Sequence, residues 1–331
     1  LNERPRAHGR LVEPADYRPV IWLPDGHTQT LWAARCRRVP RPVPRFERVE
    51  LPDGDFVDLA HVGTPGELTV MILHGLEGDW RSPYASALLA AIEARGWHGV
   101  VMHFRGCSGE PNRLARSYHS GDTDDLALVA GLLARRSPVL CAVGYSLGGN
   151  VLLKYLGERG CDAAFAAAVA VSVPFDLAIA AETLDRGFAR VYQRHLVTSL
   201  QQKTRLKFAR MTAPIDLAGL ARWMDFRSFD DRVTAPLHGF SGVDDYYAQS
   251  SCRPFLRSVT VPTRLFHAAD DPFLAPAGIP DARELAATVE LELVARGGHV
   301  GFIATERGWL ERRIVEFIAA TSGPRDSIQA P

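Results

Sequence analysis

The 331-residue chain is poor in cysteine and methionine, with 5 and 4, and it carries no net charge, Lys+Arg and Asp+Glu both numbering 38. Balanced charge leaves no electrostatic footprint for nucleic acid. The cysteines, Cys36, Cys107, Cys141, Cys161 and Cys252, are odd in number and scattered, with no Cys-x-x-Cys. That spacing argues against a disulfide framework or a thiolate zinc site and favours reduced thiols. No His-Glu-x-x-His is present, and His74, Glu77 and Asp79 are the nearest approach to a ligand set. A hydrolytic metal needs about three converging ligands and an open position, so none is expected. Neither Gly-x-Gly-x-x-Gly at the first βα turn nor a phosphate-binding P-loop occurs. Nicotinamide and nucleotide chemistry are therefore disfavoured, and no cofactor is expected. No apolar run is long enough to span a bilayer. Residues 1–19 contain no apolar h-region. The expectation is a cytoplasmic protein without a stable membrane anchor. Its native N-terminus is left open, because the chain starts at Leu1 rather than Met. Internal repeats and low-complexity tracts are also lacking.

What is there is globular: 47% hydrophobic and 23% charged, with enough length for a large core. Short apolar, β-branched runs alternate with helical patterns. Strands are predicted over residues 68–75, 98–104, 138–145 and 166–172. Helices are predicted over 82–95, 122–136 and 151–158. The first has Ser82 as N-cap, Pro83 at the first helical position and Gly96 past the end. This β-α alternation implies a parallel sheet with helices on both faces. Residues 46–62 read as an antiparallel hairpin around Pro52-Asp53-Gly54 that opens the sheet. From 175 to 254 the alternation stops, and a helical cap is predicted, inserted between two strands. Strands follow over 261–268 and 289–295, with a helix near 281–287 between them. An amphipathic helix follows over 305–320, its face set by Trp309, Leu310, Ile314, Phe317 and Ile318. The division expected is an N-terminal extension over 1–45 packing on the core, a core over 46–174 and 255–320, a cap over 175–254 and a flexible tail over 321–331.

Val143 to Asn150 reads Val-Gly-Tyr-Ser-Leu-Gly-Gly-Asn. A Gly-x-Ser-x-Gly match alone has little specificity, but here a buried strand precedes Ser146 and a helix follows. Gly144 and Gly148 flank the serine where side chains would clash in a sharp turn. Such a turn exposes the hydroxyl at the carboxyl edge of the sheet, where open α/β sheets bind ligands. A serine hydroxyl needs a base to act as a nucleophile. Of 11 histidines, His299 is best placed: it follows the last strand in a Gly-rich loop with Gly297, Gly298 and Gly301. An acid belongs between serine and histidine in the chain order of this turn-based chemistry, after the strand 261–268. Asp270 and Asp271 both stand there. Only one can align with the imidazole; the other would cap a turn or bond the backbone. A tetrahedral intermediate also needs backbone N–H donors. Leu147, after the serine, supplies one. Leu76, in His74-Gly75-Leu76-Glu77-Gly78, supplies the other. His74 precedes the acid in the chain and is read as a loop brace, and Arg105 as a structural partner of a carboxylate.

The cap carries Arg186, Arg190, Arg194, Lys203, Arg205, Lys207 and Arg210, read mostly as a solvated helix face, with an anionic head group as the lesser reading. Its apolar residues, among them Phe188, Leu196, Leu200, Phe208, Met211, Trp223, Phe226 and Phe229, are read as cap core, some of them lining an acyl pocket.

Over residues 17–317 the chain resembles the YheT-like branch of the α/β-hydrolase superfamily. The stretches that carry the resemblance are GHTQT from Gly26, HGLEG from His74, HFRGCSGEPNR from His103, YHSGDTDDL from Tyr118 and GYSLGGN from Gly144. FDDRVTAPLHGF from Phe229, YY from Tyr246, ADDPF from Ala269 and GGHVGF from Gly297 add to it. The resemblance implies an α/β-hydrolase fold and a serine hydrolase acting on carboxylic esters. Ser146, Asp271 and His299 stand at the matching positions, Asp271 favoured by the Asp-Pro-hydrophobic pattern of related hydrolases and Asp270 kept as the alternative acid. The branch includes acyltransferases, so transfer to an alcohol is a rival reading, as is a binding protein on the same fold. Dehalogenase chemistry is disfavoured because it needs a carboxylate where Ser146 stands. A small-molecule ester is the expected partner, with acyl length, alcohol half and oligomeric state open.

Overall fold

The β-branched runs of the middle of the chain form the centre of a mixed sheet, here in a computed structural model that describes residues 8–322. Among those residues the strands are β1 (Arg10–Val12), β2 (Arg45–Glu50), β3 (Phe56–Val62), β4 (Leu68–Leu73), β5 (His98–Met102), β6 (Val139–Tyr145), β7 (Ala167–Val171), β8 (Thr263–Ala268) and β9 (Val289–Val294). Their spatial order is β1-β9-β8-β7-β6-β4-β5-β3-β2. All neighbours pair in parallel except β5 with β3 and β3 with β2.

Helices cover both faces, as parallel crossovers require. They are α1 (Gly26–Arg35), α2 (Pro83–Glu93), α3 (Asp124–Ala134), α4 (Leu147–Arg159), α5 (Leu177–Leu184), α6 (Ala189–Phe208), α7 (Phe226–Phe229), α8 (Ala235–His238), α9 (Val243–Ser250) and α10 (Trp309–Ser322). The period-2 alternation of β4 divides the core. Met71 and Leu73 pack with Leu126 and Val129 of α3 and Val151 of α4. Val70 and Ile72 pack with Leu88 and Ile92 of α2 and Ile314 and Ile318 of α10. Buried on both faces from Thr69 to Leu73, β4 reads as a near-continuous apolar run.

Strand β4 lies between β5 and β6, so the chain steps from β4 to β5 on one side and then returns past β4 to β6 on the other. Its carboxyl end is a topological switch point, where α/β sheets place their ligands. The loops after β4 and β6 meet there, and the helices α5 to α9, inserted between β7 and β8, lie over them.

Three expectations are corrected. The helix expected over 281–287 shrinks to one 3-10 turn, Ala282–Glu284, capped by Asp281. Beyond it the backbone is taken by non-local partners: Leu285 O accepts from Gly9 N at 3.1 Å and Ala286 N donates to Leu256 O at 3.2 Å, which holds the chain extended. The segment expected to pack on the core as an extension also joins the sheet, as β1 alongside β9. Thr321 and Ser322, assigned to the tail, belong to α10, while 323–331 of that tail and 1–7 of the extension lie outside the described residues.

Candidate active site

Ser146 stands between β6 and α4 with φ 51° and ψ −119°, a backbone region that costs a non-glycine residue strain. The neighbours force it. Ser146 N donates to Val171 O on β7, and Asn150 N donates to Ser146 O to begin α4. A Cβ on Gly144 would lie 2.5 Å from Gly148 O, and one on Gly148 2.5 Å from both His74 O and Leu73 O. Those are fixed backbone atoms, so the turn closes only with glycine at both positions.

His299 reaches the turn from the loop after β9. Its Nε2 lies 2.9 Å from Ser146 Oγ, and its Nδ1 lies 2.9 and 3.1 Å from the two oxygens of Asp271. The Asp271 side chain is fully buried and also accepts from Phe273 N at 2.9 Å. The Phe273 ring stacks on the imidazole, centroids 3.9 Å apart and planes 2° apart. Three contacts therefore restrict the imidazole to one plane. Asp270 faces elsewhere: its Oδ1 accepts from Gly297 N and Gly298 N, at 2.8 and 2.9 Å, and shapes the loop that carries His299.

The loop after β4 touches the serine from the other side. A Cβ on Gly75 would lie 3.3 Å from Ser146 Cβ. Gly75 O accepts from Gly78 N and closes a turn around Leu76 and Glu77. Among the described residues, the N–H groups of Leu76 and Leu147 donate to no acceptor, and both residues border the same cavity as Ser146. Leu147 opens α4, whose N-terminal partial positive charge points the same way. His74 is a brace: Nδ1 donates to Gly75 O at 2.7 Å and Nε2 accepts from Phe104 N at 3.1 Å. Burial pushes its ring down to about 3, so it stays neutral. Arg105 is a buried anchor, bonded to Asp125, Asp53 and Asp55.

A family model described as alpha/beta hydrolase fold matches residues 69–304. The Escherichia coli (strain K12) protein named "Putative esterase YheT" is 44% identical over 317 residues, covering 92% of this chain and 93% of its own length. This chain belongs to the YheT-like branch of the α/β-hydrolase family. Human phospholipase ABHD3 is a more distant relative, 28% identical over 92% of this chain and 78% of its own. The Pyrococcus furiosus esterase Pf2001 superposes with a TM-score of 0.57 at 17% identity, over 86% of this chain and all of that one, a likeness of fold.

In this YheT-like member two cavities meet at Ser146. One runs under the cap and is walled by Leu177, Ala180, Leu184, Leu196 and Leu200. The other passes between α1 and α6, along Thr30, Ala34, Tyr84, Tyr192 and His195. Ser146, His299, Leu76, Leu196 and Phe273 border both. Of the apolar cap residues, Leu196, Leu200 and Phe226 line the first cavity, whereas Phe188 is 52% exposed.

Two features escaped sequence reasoning. Helix α1 clamps the His299 loop: Thr30 Oγ1 accepts from His299 N at 2.8 Å and Gln29 Oε1 accepts from Ile303 N at 2.8 Å. The stretch GHTQT stands out in the sequence, but no local chemistry tells which distant loop it binds. Two cap lysines also depart from the solvated-face reading. Lys203 pairs with Glu77, and Lys207 Nζ donates to the carbonyls of Leu114, Ala115 and Arg116. No helix of the described residues is long and apolar enough to cross a membrane.

Proposed function

We propose that this hydrolase-family member cleaves carboxylic esters through an acyl-enzyme on Ser146. The observation that carries the reading is the single imidazole of His299, held 2.9 Å from Ser146 Oγ on one nitrogen and 2.9 Å from Asp271 on the other. Asp271 accepts from Nδ1–H, which leaves Nε2 free to take the Ser146 proton as Oγ attacks the ester carbonyl. The N–H groups of Leu76 and Leu147 receive the oxyanion. His299 then returns the proton to the departing alcohol, and water repeats the cycle to release the acid.

The two cavities sort the substrate. The apolar one suits an acyl chain, and the one between α1 and α6 suits the alcohol half. Relatives named as a phospholipase and a monoacylglycerol lipase support lipid-like esters of this plan.

The test is hydrolysis of p-nitrophenyl esters from acetate to palmitate, with a fluorophosphonate probe, on wild type and Ser146→Ala. Wild type turns over and is labelled; the folded variant does neither, losing about 10⁶-fold in kcat. Retained turnover in the variant defeats the mechanism. Ethanol added to the same reaction reports transfer: an ethyl ester product would assign the second half-reaction to an alcohol.

A further inference from the structure

Glu77 follows Leu76 in the loop after β4 and has φ 56°. It occupies the third position of the turn Gly75 to Gly78, where a positive φ normally selects glycine. A glutamate stands there at a conformational cost, and its contacts show what it holds. Tyr118 OH accepts from Glu77 N at 2.9 Å and donates to Glu77 Oε1 at 2.8 Å, so one hydroxyl fixes both backbone and side chain. Lys203 Nζ, reaching down from α6, donates to the same Oε1 at 2.6 Å and to Cys107 Sγ at 3.0 Å. The pair is largely shielded, with side-chain exposures of 21% for Lys203 and 11% for Glu77. Solvent screening of it is weak.

We infer that Lys203 is a positioning residue: through Glu77 it holds the Leu76 N–H at the oxyanion site and so ties the cap to the catalytic loop. The inference rests on the ester-hydrolase reading above. Helix α6 also lines both cavities, with Leu196 bordering each. The helix that shapes the substrate space is thereby bonded to the residue next to the proposed oxyanion donor.

Lys207, one turn further along α6, provides the control. It anchors the same helix to the carbonyls of 114–116 and, among the described residues, makes no hydrogen bond to the loop after β4. A purely structural anchor predicts equal effects at both lysines; positioning predicts different ones.

The experiment compares Lys203→Met, Lys203→Arg, Glu77→Gln and Lys207→Met with wild type in the full chain. It measures kcat and KM on the best p-nitrophenyl ester, the thermal midpoint, and amide hydrogen exchange at Glu77. Lys203→Met is expected to lower kcat about 10- to 100-fold, a fraction of the loss of a whole oxyanion donor, with KM little changed and faster exchange at Glu77. Glu77→Gln, a milder change, follows the same direction, Lys203→Arg partly restores kcat, and Lys207→Met stays near wild type in kcat. Equal kcat losses at Lys203 and Lys207, or a change in KM alone at Lys203, would overturn the inference. A wild type that neither hydrolyses nor takes the fluorophosphonate defeats the ester-hydrolase reading itself, and this inference with it.

Discussion

Asp270 and Asp271 are adjacent carboxylates with different partners. Asp271 faces the imidazole of His299, while Asp270 accepts two backbone N–H groups of the loop that carries it. Their amide variants separate the roles. Asp271→Asn presents a donor to Nδ1 or forces the wrong tautomer, and kcat should fall by about 10³- to 10⁴-fold. Asp270→Asn keeps a carbonyl oxygen for Gly297 N and Gly298 N, and kcat should stay within about ten-fold of wild type, both bonds surviving without their charge assistance. Steady-state kinetics on one ester decide the matter; the reverse ranking would make Asp270 the acid. The ambiguity in the sequence was physical. Neighbouring residues after a strand point in different directions, and which one meets the imidazole depends on how a loop from β9 approaches, a contact 28 residues away.

At the scale of elements, the strands were legible because burial on both faces demands near-continuous apolar runs, as in β4 and β6. The turn at Ser146 was legible because its two close backbone approaches admit only glycine. Helix α1 was not, since its buried side is polar: Gln29 and Thr30 point inward and spend their hydrogen bonds on the His299 loop. Thr30 Oγ1 also donates to Gly26 O at 2.6 Å. Thr30→Val is nearly isosteric but leaves His299 N without its acceptor. It should cost about 1–3 kcal/mol of stability in urea unfolding, with Thr30→Ser largely restoring it. An unchanged urea midpoint in Thr30→Val would show that the clamp contributes nothing. The missed 3-10 turn at Ala282–Glu284 has the same origin: distant backbone groups, not local propensity, decide where helices stop.

Over the whole molecule, buried carboxylates pull stability in opposite directions with pH. Asp55 is buried, which opposes its charge. Asn112, the N–H groups of Arg113 and Phe56, and the Arg105 guanidinium outweigh that and hold it below its ordinary value. Its contribution is present above pH about 4 and is lost as pH falls further. Asp230 behaves inversely. It lines the apolar cavity, accepts from Thr234 and Tyr247 hydroxyls, and pairs with no cation among the described residues. Burial pushes its carboxyl up to about 6. The folded state therefore holds this proton more tightly than the unfolded chain. The stability it contributes is complete below pH about 4 and is lost as pH rises through about 6. Asp230→Asn removes that loss, so its thermal midpoint relative to wild type should rise between pH about 4 and pH about 7. A constant difference across that range would exclude an elevated carboxyl.

The chain's own residue order determined the sheet strands, the glycine-bounded turn at Ser146 and the histidine after the last strand. Each is specified by local rules: alternation, burial and steric exclusion act on neighbours in sequence. Tertiary structure alone decided which carboxylate meets His299, that the N-terminal segment completes the sheet and clamps the His299 loop, and that two cap lysines bind the core instead of water. Those outcomes depend on hydrogen bonds and ion pairs between residues tens to hundreds of positions apart, such as Lys203 with Glu77 and Thr30 with His299. A polar side chain has the same sequence signature whether its partner is solvent or a buried group brought to it by folding.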